Sequence, residues 1–147
     1  MMIDEITQAQ RAAVVAEARS YLGTPYHHHA RVKGAGVDCA TFLAEVFKAV
    51  GVLPHLELGN YPPEWHLHRG EERYLDWMKK LAHEIETPEP GDIAIFKVGR
   101  CFSHGSIVVE WPLVIHSFLG RGVEYIEADK GEMARYQRRF FRIGCSQ

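Results

Sequence analysis

The stretch Pro88-Glu89-Pro90-Gly91-Asp92 divides the chain into two parts of different character. Two prolines and a glycine so close together are typical of a turn. Before this turn, apolar residues recur at helical spacing, whereas after it short apolar and β-branched runs are separated by turn residues. Helices followed by a series of strands predict an α+β fold in which N-terminal helices pack on a sheet.

Three helices are predicted in the first part of the chain. Thr7 and Gln10 form a capping box at the start of the first helix, the second is expected over residues 38–50, and the third over residues 74–81. Short connections after the turn predict a mainly antiparallel sheet of five to six strands. The expected strands cover residues 92–98, 103–110, 113–118, 123–128 and 137–143.

The composition is that of one globular domain over residues 1–147, with 46% hydrophobic and 24% charged residues. The formal charge of −2 gives no basic surplus for nucleic-acid binding. No apolar run approaches the roughly 20 residues of a membrane span, and the acidic start of the chain differs from a secretory signal. We therefore expect no membrane insertion and a cytoplasmic location after synthesis. The C-terminal arginines are interpreted as a solvated strand face: Arg135, Arg138, Arg139 and Arg142.

The three cysteines, Cys39, Cys101 and Cys145, form no Cys-x-x-Cys pair. An odd number without such a pair argues against a disulfide framework and against a zinc site. Cys101 and Cys145 are interpreted as structural. The run His27-His28-His29 is a poor metal site, because consecutive loop residues rarely supply ligand geometry. We expect no metal and no other cofactor.

Cys39 lies at the predicted start of the second helix, directly after Asp38. Asp38 is a good N-cap residue, so Cys39 falls in the first turn, where unpaired N–H groups and the positive helix end favour an anion. We expect this position to lower the pKa of the thiol and to offer N–H groups to an oxyanion. The alternative is that Cys39 is a small buried hydrophobic residue.

Two histidines on neighbouring predicted strands, His104 and His116, favour the catalytic interpretation. A cysteine nucleophile needs a base, and that base needs a group that orients it. A hairpin centred near Trp111-Pro112 places both histidines on the same face of the sheet, one diagonal step apart. A slip of one residue would put them on opposite faces.

Five ordered blocks of the chain resemble the NlpC-type cell-wall cysteine peptidases. The resemblance runs from about Tyr21 to the final strand and implies a papain-like core. It also implies hydrolysis of amide bonds in bacterial peptidoglycan stem peptides, often the link from γ-D-glutamyl to a diamino acid. The blocks are Leu22-Gly23-Thr24-Pro25-Tyr26, Gly36-Val37-Asp38-Cys39, Pro90-Gly91-Asp92-Ile93-Ala94-Ile95-Phe96, Ser103-His104-Gly105-Ser106-Ile107-Val108 and Val114-Ile115-His116-Ser117.

The resemblance also implies a role for each candidate residue. Cys39 is the nucleophile, His104 the base and His116 the polar group that orients His104. Tyr26 matches a tyrosine that reaches the site and helps to hold the oxyanion. Asp38 is a helix cap first, with a secondary role in binding a substrate amine.

Three segments depart from the pattern of the family. Ala40-Thr41 replaces the usual Ser-Gly, His27-His28-His29 stands where the family is often Gly-rich, and residues 61–80 are longer and more aromatic than in minimal members. Trp65, His66 and His68 of the last segment are candidates to line a groove. The short chain, residues 29–34 before the cysteine and the insert at residues 61–66 look most like phage-encoded members. That likeness implies phage tail proteins as partners and delivery to the cell wall by a tail.

Two other functions stay open. The same residues suit a papain-like amidase or acyltransferase with another substrate or acceptor. A phage tail component with a vestigial site is the second alternative, against which the intact Cys39, His104 and His116 argue.

Overall fold

The computed structural model describes residues 2–63 and 72–144. Within these ranges it contains three α-helices, a 3₁₀ turn over Gly131–Arg135, and eight strands. The helices are α1 (Gln8–Arg19), α2 (Cys39–Val50) and α3 (Arg73–Leu81). The strands are β1 (Arg31–Val32), β2 (Gly36–Val37), β3 (Ala82–Ile85), β4 (Ile93–Val98), β5 (Cys101–Glu110), β6 (Leu113–Phe118), β7 (Gly122–Glu127) and β8 (Arg138–Ile143).

The described strands form a small β1–β2 hairpin and a six-stranded antiparallel sheet in the order β3-β8-β4-β5-β6-β7. The helices contact this sheet through α2 and α3 against β5, and through α2 against β6. The expected α+β fold, with helices packed on a mainly antiparallel sheet, is therefore confirmed. None of the described helices is long and apolar enough to cross a membrane.

The start of α2 is set by local sequence and its position by packing. Asp38 caps the helix, and Gly51 ends it in the left-handed conformation that glycine adopts without steric cost. The apolar side of α2 is buried at Phe42, Val46 and Phe47 in the main core. Because the cap and the buried side together fix the helix, Cys39 is held at its first turn against the sheet.

The sequence analysis missed β3 and the β1–β2 hairpin. β3 follows α3 without a loop and pairs with β8, so that Ala82 lies opposite Ile143. It has only four residues, of which His83 and Glu84 are exposed, and such a strand has little periodic signal of its own. Its pairing with a distant strand supplies the stabilisation that its sequence does not indicate.

The interpretation of the C-terminal arginines as a solvated face is wrong for two of the four, Arg138 and Arg142. Arg142 donates from Nε and Nη2 to the fully buried Asp92 carboxylate, at 2.9 and 2.7 Å. Arg138 donates to the backbone carbonyls of three residues and lies over the ring of Phe96. Arg139 pairs with Glu84 at the surface. Arg142 thus connects strand β8 to the turn after Pro88.

We expect Arg142→Met to lower the free energy of unfolding by about 3 kcal/mol, because it leaves the Asp92 carboxylate buried without its bidentate partner. The matched control is Arg139→Met, on the same strand, whose pair with Glu84 is half-exposed and worth about 1 kcal/mol or less. Urea denaturation of both variants measures the difference. Equal losses would contradict the structural role given to Arg142.

Candidate active site

A cavity of about 200 Å³ lies where the start of α2 meets β5 and β6. Four of the five predicted site residues line it, namely Tyr26, Asp38, Cys39 and His104. The fifth, His116, is fully buried and contacts His104. The structure thus brings together residues from a loop, a helix and two strands that are up to about 90 positions apart in the chain.

The two histidines lie side by side, as their predicted register requires. Ile107 pairs with Ile115 across β5 and β6, which puts both imidazoles on one face. His104 Nε2 and His116 Nδ1 are 2.8 Å apart, a hydrogen-bond distance. Burial, together with the smaller effect of the Arg121 charge, lowers the pKa of His116 to about 3. His116 is therefore neutral at neutral pH, with a single ring proton.

A residue that the sequence analysis did not identify, Glu124, contacts the other side of His116. Its Oε2 atom lies 2.8 Å from His116 Nε2 and 2.9 Å from Nε of Arg121. Glu124 is the direct cross-strand partner of His116 between β6 and β7. The sequence analysis paired only the two strands that carry the histidines. Pairing the second of them with the next strand in the same way would have placed Glu124 opposite His116.

The expected lowering of the Cys39 pKa is wrong for this resting site. Burial raises the pKa of the thiol to about 12, and the neighbouring Asp38 carboxylate raises it as well. The N–H groups of Ala40 and Thr41, which were expected to favour a thiolate, donate instead to Asp38 Oδ1 at 3.0 and 2.8 Å. The capping carboxylate thus takes the N–H groups of the helix start and adds a negative charge beside the sulfur.

Tyr74, which the sequence analysis included only as the first residue of the third predicted helix, contacts Cys39 directly. Its hydroxyl donates to Cys39 Sγ at 3.3 Å, and this hydrogen bond favours the thiolate against the effect of burial. A Cβ atom at Gly105 would come within 2.7 Å of the Tyr74 hydroxyl oxygen. Gly105 therefore makes the room that the Tyr74 hydroxyl needs to reach the sulfur.

The Asp38 carboxylate is fully occupied by internal donors. Its Oδ1 atom accepts from two N–H groups of α2, and its Oδ2 atom accepts from the His29 N–H at 2.9 Å and from the Tyr61 hydroxyl at 2.6 Å. A carboxylate offers about four such acceptor positions. Binding of a substrate amine at Asp38 would therefore require one of these donors to leave.

Tyr26 is half-buried beside Cys39 at the cavity wall. Burial raises the pKa of its hydroxyl, and the nearby Cys39 and Asp38 add to the rise, so the group keeps its proton. A protonated hydroxyl at this position is able to donate to an oxyanion formed in the cavity.

The histidine run packs against Tyr61. The Nε2 atoms of His28 and His29 lie 3.0 and 2.7 Å from the Tyr61 carbonyl oxygen, and the ring of His29 stacks on that of Tyr61. Over residues 2–63 and 72–144, no group of three His, Cys, Asp or Glu side chains is arranged to hold a metal ion.

Some predicted features lie outside the described residues. They are the groove candidates Trp65, His66 and His68, together with Cys145. Cys101 is fully buried in β5 and does not itself line the cavity.

No sequence-family profile and no curated protein matches this chain, whereas several solved structures do. The NlpC/p60 domain of the peptidoglycan hydrolase SagA matches with a TM-score of 0.61 and 19% identity, over 92% of this chain and 98% of that domain. NlpC1 from Trichomonas vaginalis has a TM-score of 0.70 and 17% identity, over 98% of this chain and 48% of that protein.

A third match is a Staphylococcus aureus protein described as similar to a lipoprotein of the NLP/P60 family, with a TM-score of 0.63 and 18% identity. The alignment covers 93% of this chain and 43% of that protein, so the chain spans about half or less of the two larger proteins. The chain has the papain-like α+β fold of NlpC/p60 domains.

The raised pKa of Cys39 predicts slow alkylation near neutral pH. The thiolate is the reactive form, and its fraction rises with pH until the pKa of about 12 is reached. We expect the iodoacetamide rate at Cys39, followed by mass spectrometry, to increase throughout the range in which the protein stays folded. A plateau below the ~8.5 of an ordinary thiol would contradict this expectation.

Tyr74→Phe removes the hydroxyl that donates to Cys39 Sγ while it keeps the buried ring. Loss of one hydrogen bond to a thiolate is expected to raise the pKa of the thiol by about one unit and to slow alkylation about tenfold at a fixed pH. Tyr136→Phe, whose hydroxyl bonds Glu132 at the surface, is the matched control. An unchanged alkylation rate in Tyr74→Phe would show that this contact does not stabilise the thiolate.

Proposed function

We propose that the chain is a cysteine peptidase that hydrolyses amide bonds in peptidoglycan stem peptides. The observation that carries the proposal is the placement of Cys39 and His104 on the wall of one cavity, with His116 hydrogen-bonded to His104. A nucleophile, a base and an orienting group are the parts that covalent amide hydrolysis requires. The fold shared with the domain of a peptidoglycan hydrolase supports the substrate class.

In the proposed reaction, Cys39 Sγ attacks the amide carbonyl carbon while the thiol proton passes to His104. Because the raised pKa keeps the resting thiol protonated, this transfer accompanies the attack rather than preceding it. The Tyr26 hydroxyl donates to the oxyanion of the tetrahedral intermediate.

His104 then gives its proton to the leaving nitrogen, and the C–N bond breaks to release the amine and leave a thioester on Cys39. A water molecule loses a proton to His104 and attacks the thioester carbonyl. The carboxylic acid leaves, and the proton held by His104 returns to the sulfur.

The finer parts of the proposal rest on the sequence resemblance. They are cleavage of the γ-D-glutamyl link to a diamino acid, a single catalytic domain over residues 1–147, and delivery to the cell wall by a phage tail with tail proteins as partners. The insert at residues 61–66 and residues 29–34 support the phage association by their likeness to phage-encoded members.

Cys39→Ala is expected to reduce hydrolysis of purified peptidoglycan fragments by about a thousandfold or more, because no other group forms the thioester. The assay follows new amino groups and the masses of the products. Cys101→Ala, which alters a buried cysteine that does not line the cavity, is the control and should keep its activity.

Circular dichroism of both variants checks that the fold is retained. Undiminished hydrolysis by Cys39→Ala would refute the mechanism. Transfer of the acyl group to an added amine would favour the acyltransferase alternative, and an inactive wild-type protein that binds tail proteins would favour the structural one.

A further inference from the structure

His104 and His116 belong to a chain of polar contacts that crosses three neighbouring strands. His104 is on β5, His116 on β6 and Glu124 on β7, and the two contacts between them are both 2.8 Å. Arg121, just before β7, holds the same oxygen of Glu124 at 2.9 Å and lies over the ring of Phe118. The ring of Phe118 packs against both imidazoles, so the group is enclosed on that side.

The direction of each hydrogen bond in this chain follows from the acceptor at its end. A carboxylate accepts and does not donate, so the ring nitrogen of His116 that faces Glu124, Nε2, carries a proton. A neutral imidazole has one ring proton, so Nδ1 of His116 is an acceptor. The nitrogen that faces it, Nε2 of His104, is then the donor. In neutral His104 the remaining nitrogen, Nδ1, then carries no proton and is the base.

The opposite arrangement of the ring protons would leave the site without a base. If Nδ1 of His116 carried the proton, it would donate to Nε2 of His104, and the proton of neutral His104 would move to Nδ1. His104 would then have no basic nitrogen with which to take the proton of Cys39. The hydrogen bond between the two histidines alone permits both arrangements, and the contact of Glu124 with His116 Nε2 distinguishes them.

We propose that Glu124 is a positioning residue that sets the tautomer of His104 through His116, in a relay that ends on a carboxylate. The inference rests on the proposed function, because it assigns His104 as the base. Glu124 does not touch the cavity; it acts on the reaction through the proton positions of the two rings. Arg121 keeps the Glu124 carboxylate in place against His116.

Glu124→Gln tests the proposal, because an amide can either donate to His116 or accept from it. Nitrogen NMR shifts of the histidine rings report which nitrogen carries the proton. In the wild type we expect Nε2–H on both His104 and His116, and in Glu124→Gln a mixture of tautomers at both. We also expect kcat on peptidoglycan fragments to fall about 10–100-fold with little change in KM, as for loss of a partner that orients a catalytic imidazole.

The matched control is Glu127→Gln, on the same strand, whose carboxylate pairs with exposed Lys130 at 2.8 Å. It should keep the wild-type tautomers and kcat. Glu124→Asp retains a carboxylate and should restore the Nε2–H forms at least in part, which separates the effect from a loss of folding. Wild-type tautomers together with wild-type kcat in Glu124→Gln would overturn the inference.

The NMR result separates this inference from the proposed function. If hydrolysis by the wild type does not depend on His104, the proposed function fails, whereas the tautomer shift still tests the effect of Glu124 on the rings. If hydrolysis depends on His104 and Glu124→Gln changes neither tautomer nor kcat, the function stands and the role given to Glu124 is wrong.

Discussion

The carboxylate of Asp38 accepts hydrogen bonds from three separate parts of the chain: the start of α2, the His29 backbone and the Tyr61 hydroxyl. The carboxylate is almost fully buried, and these donors together offset the free-energy cost of burying its charge. The same contacts define where α2 begins and therefore where Cys39 lies. Much of the cavity wall is assembled around this one charge, since Asp38, Tyr61 and Cys39 all line it.

That arrangement has a chemical consequence for the nucleophile. The cap that positions Cys39 also occupies two N–H groups at the helix start, those of Ala40 and Thr41. Burial and the charge of the cap both raise the pKa of the thiol. The Tyr74 hydroxyl opposes both effects from the buried side of the sulfur. In a resting site of this kind the thiol is neutral. The group that accepts the thiol proton, rather than a preformed thiolate–imidazolium ion pair, is therefore the decisive part of the proposed mechanism.

His104, the proposed proton acceptor, and the two side chains that follow it, His116 and Glu124, come from successive antiparallel strands. The register of these strands determines which side chains meet. A shift of one residue in β6 would turn His116 away from both His104 and Glu124. The sheet is thus a rigid frame for these three side chains. The solved NlpC/p60 structures share this frame at less than 20% identity, which is why the fold alone leaves the reaction to be argued from the side chains.

The amino-acid sequence by itself determined the α+β order, the capping box of α1, the Asp38 cap of α2, and the shared face of His104 and His116. These features depend on spacing, turns and neighbouring residues, which are local properties. Tertiary structure decided the pairing of β3 with β8, the contact of Tyr74 with Cys39 and the occupation of Asp38 by Tyr61. It also reversed the expected direction of the Cys39 pKa, because burial and long-range contacts arise only when distant segments pack together.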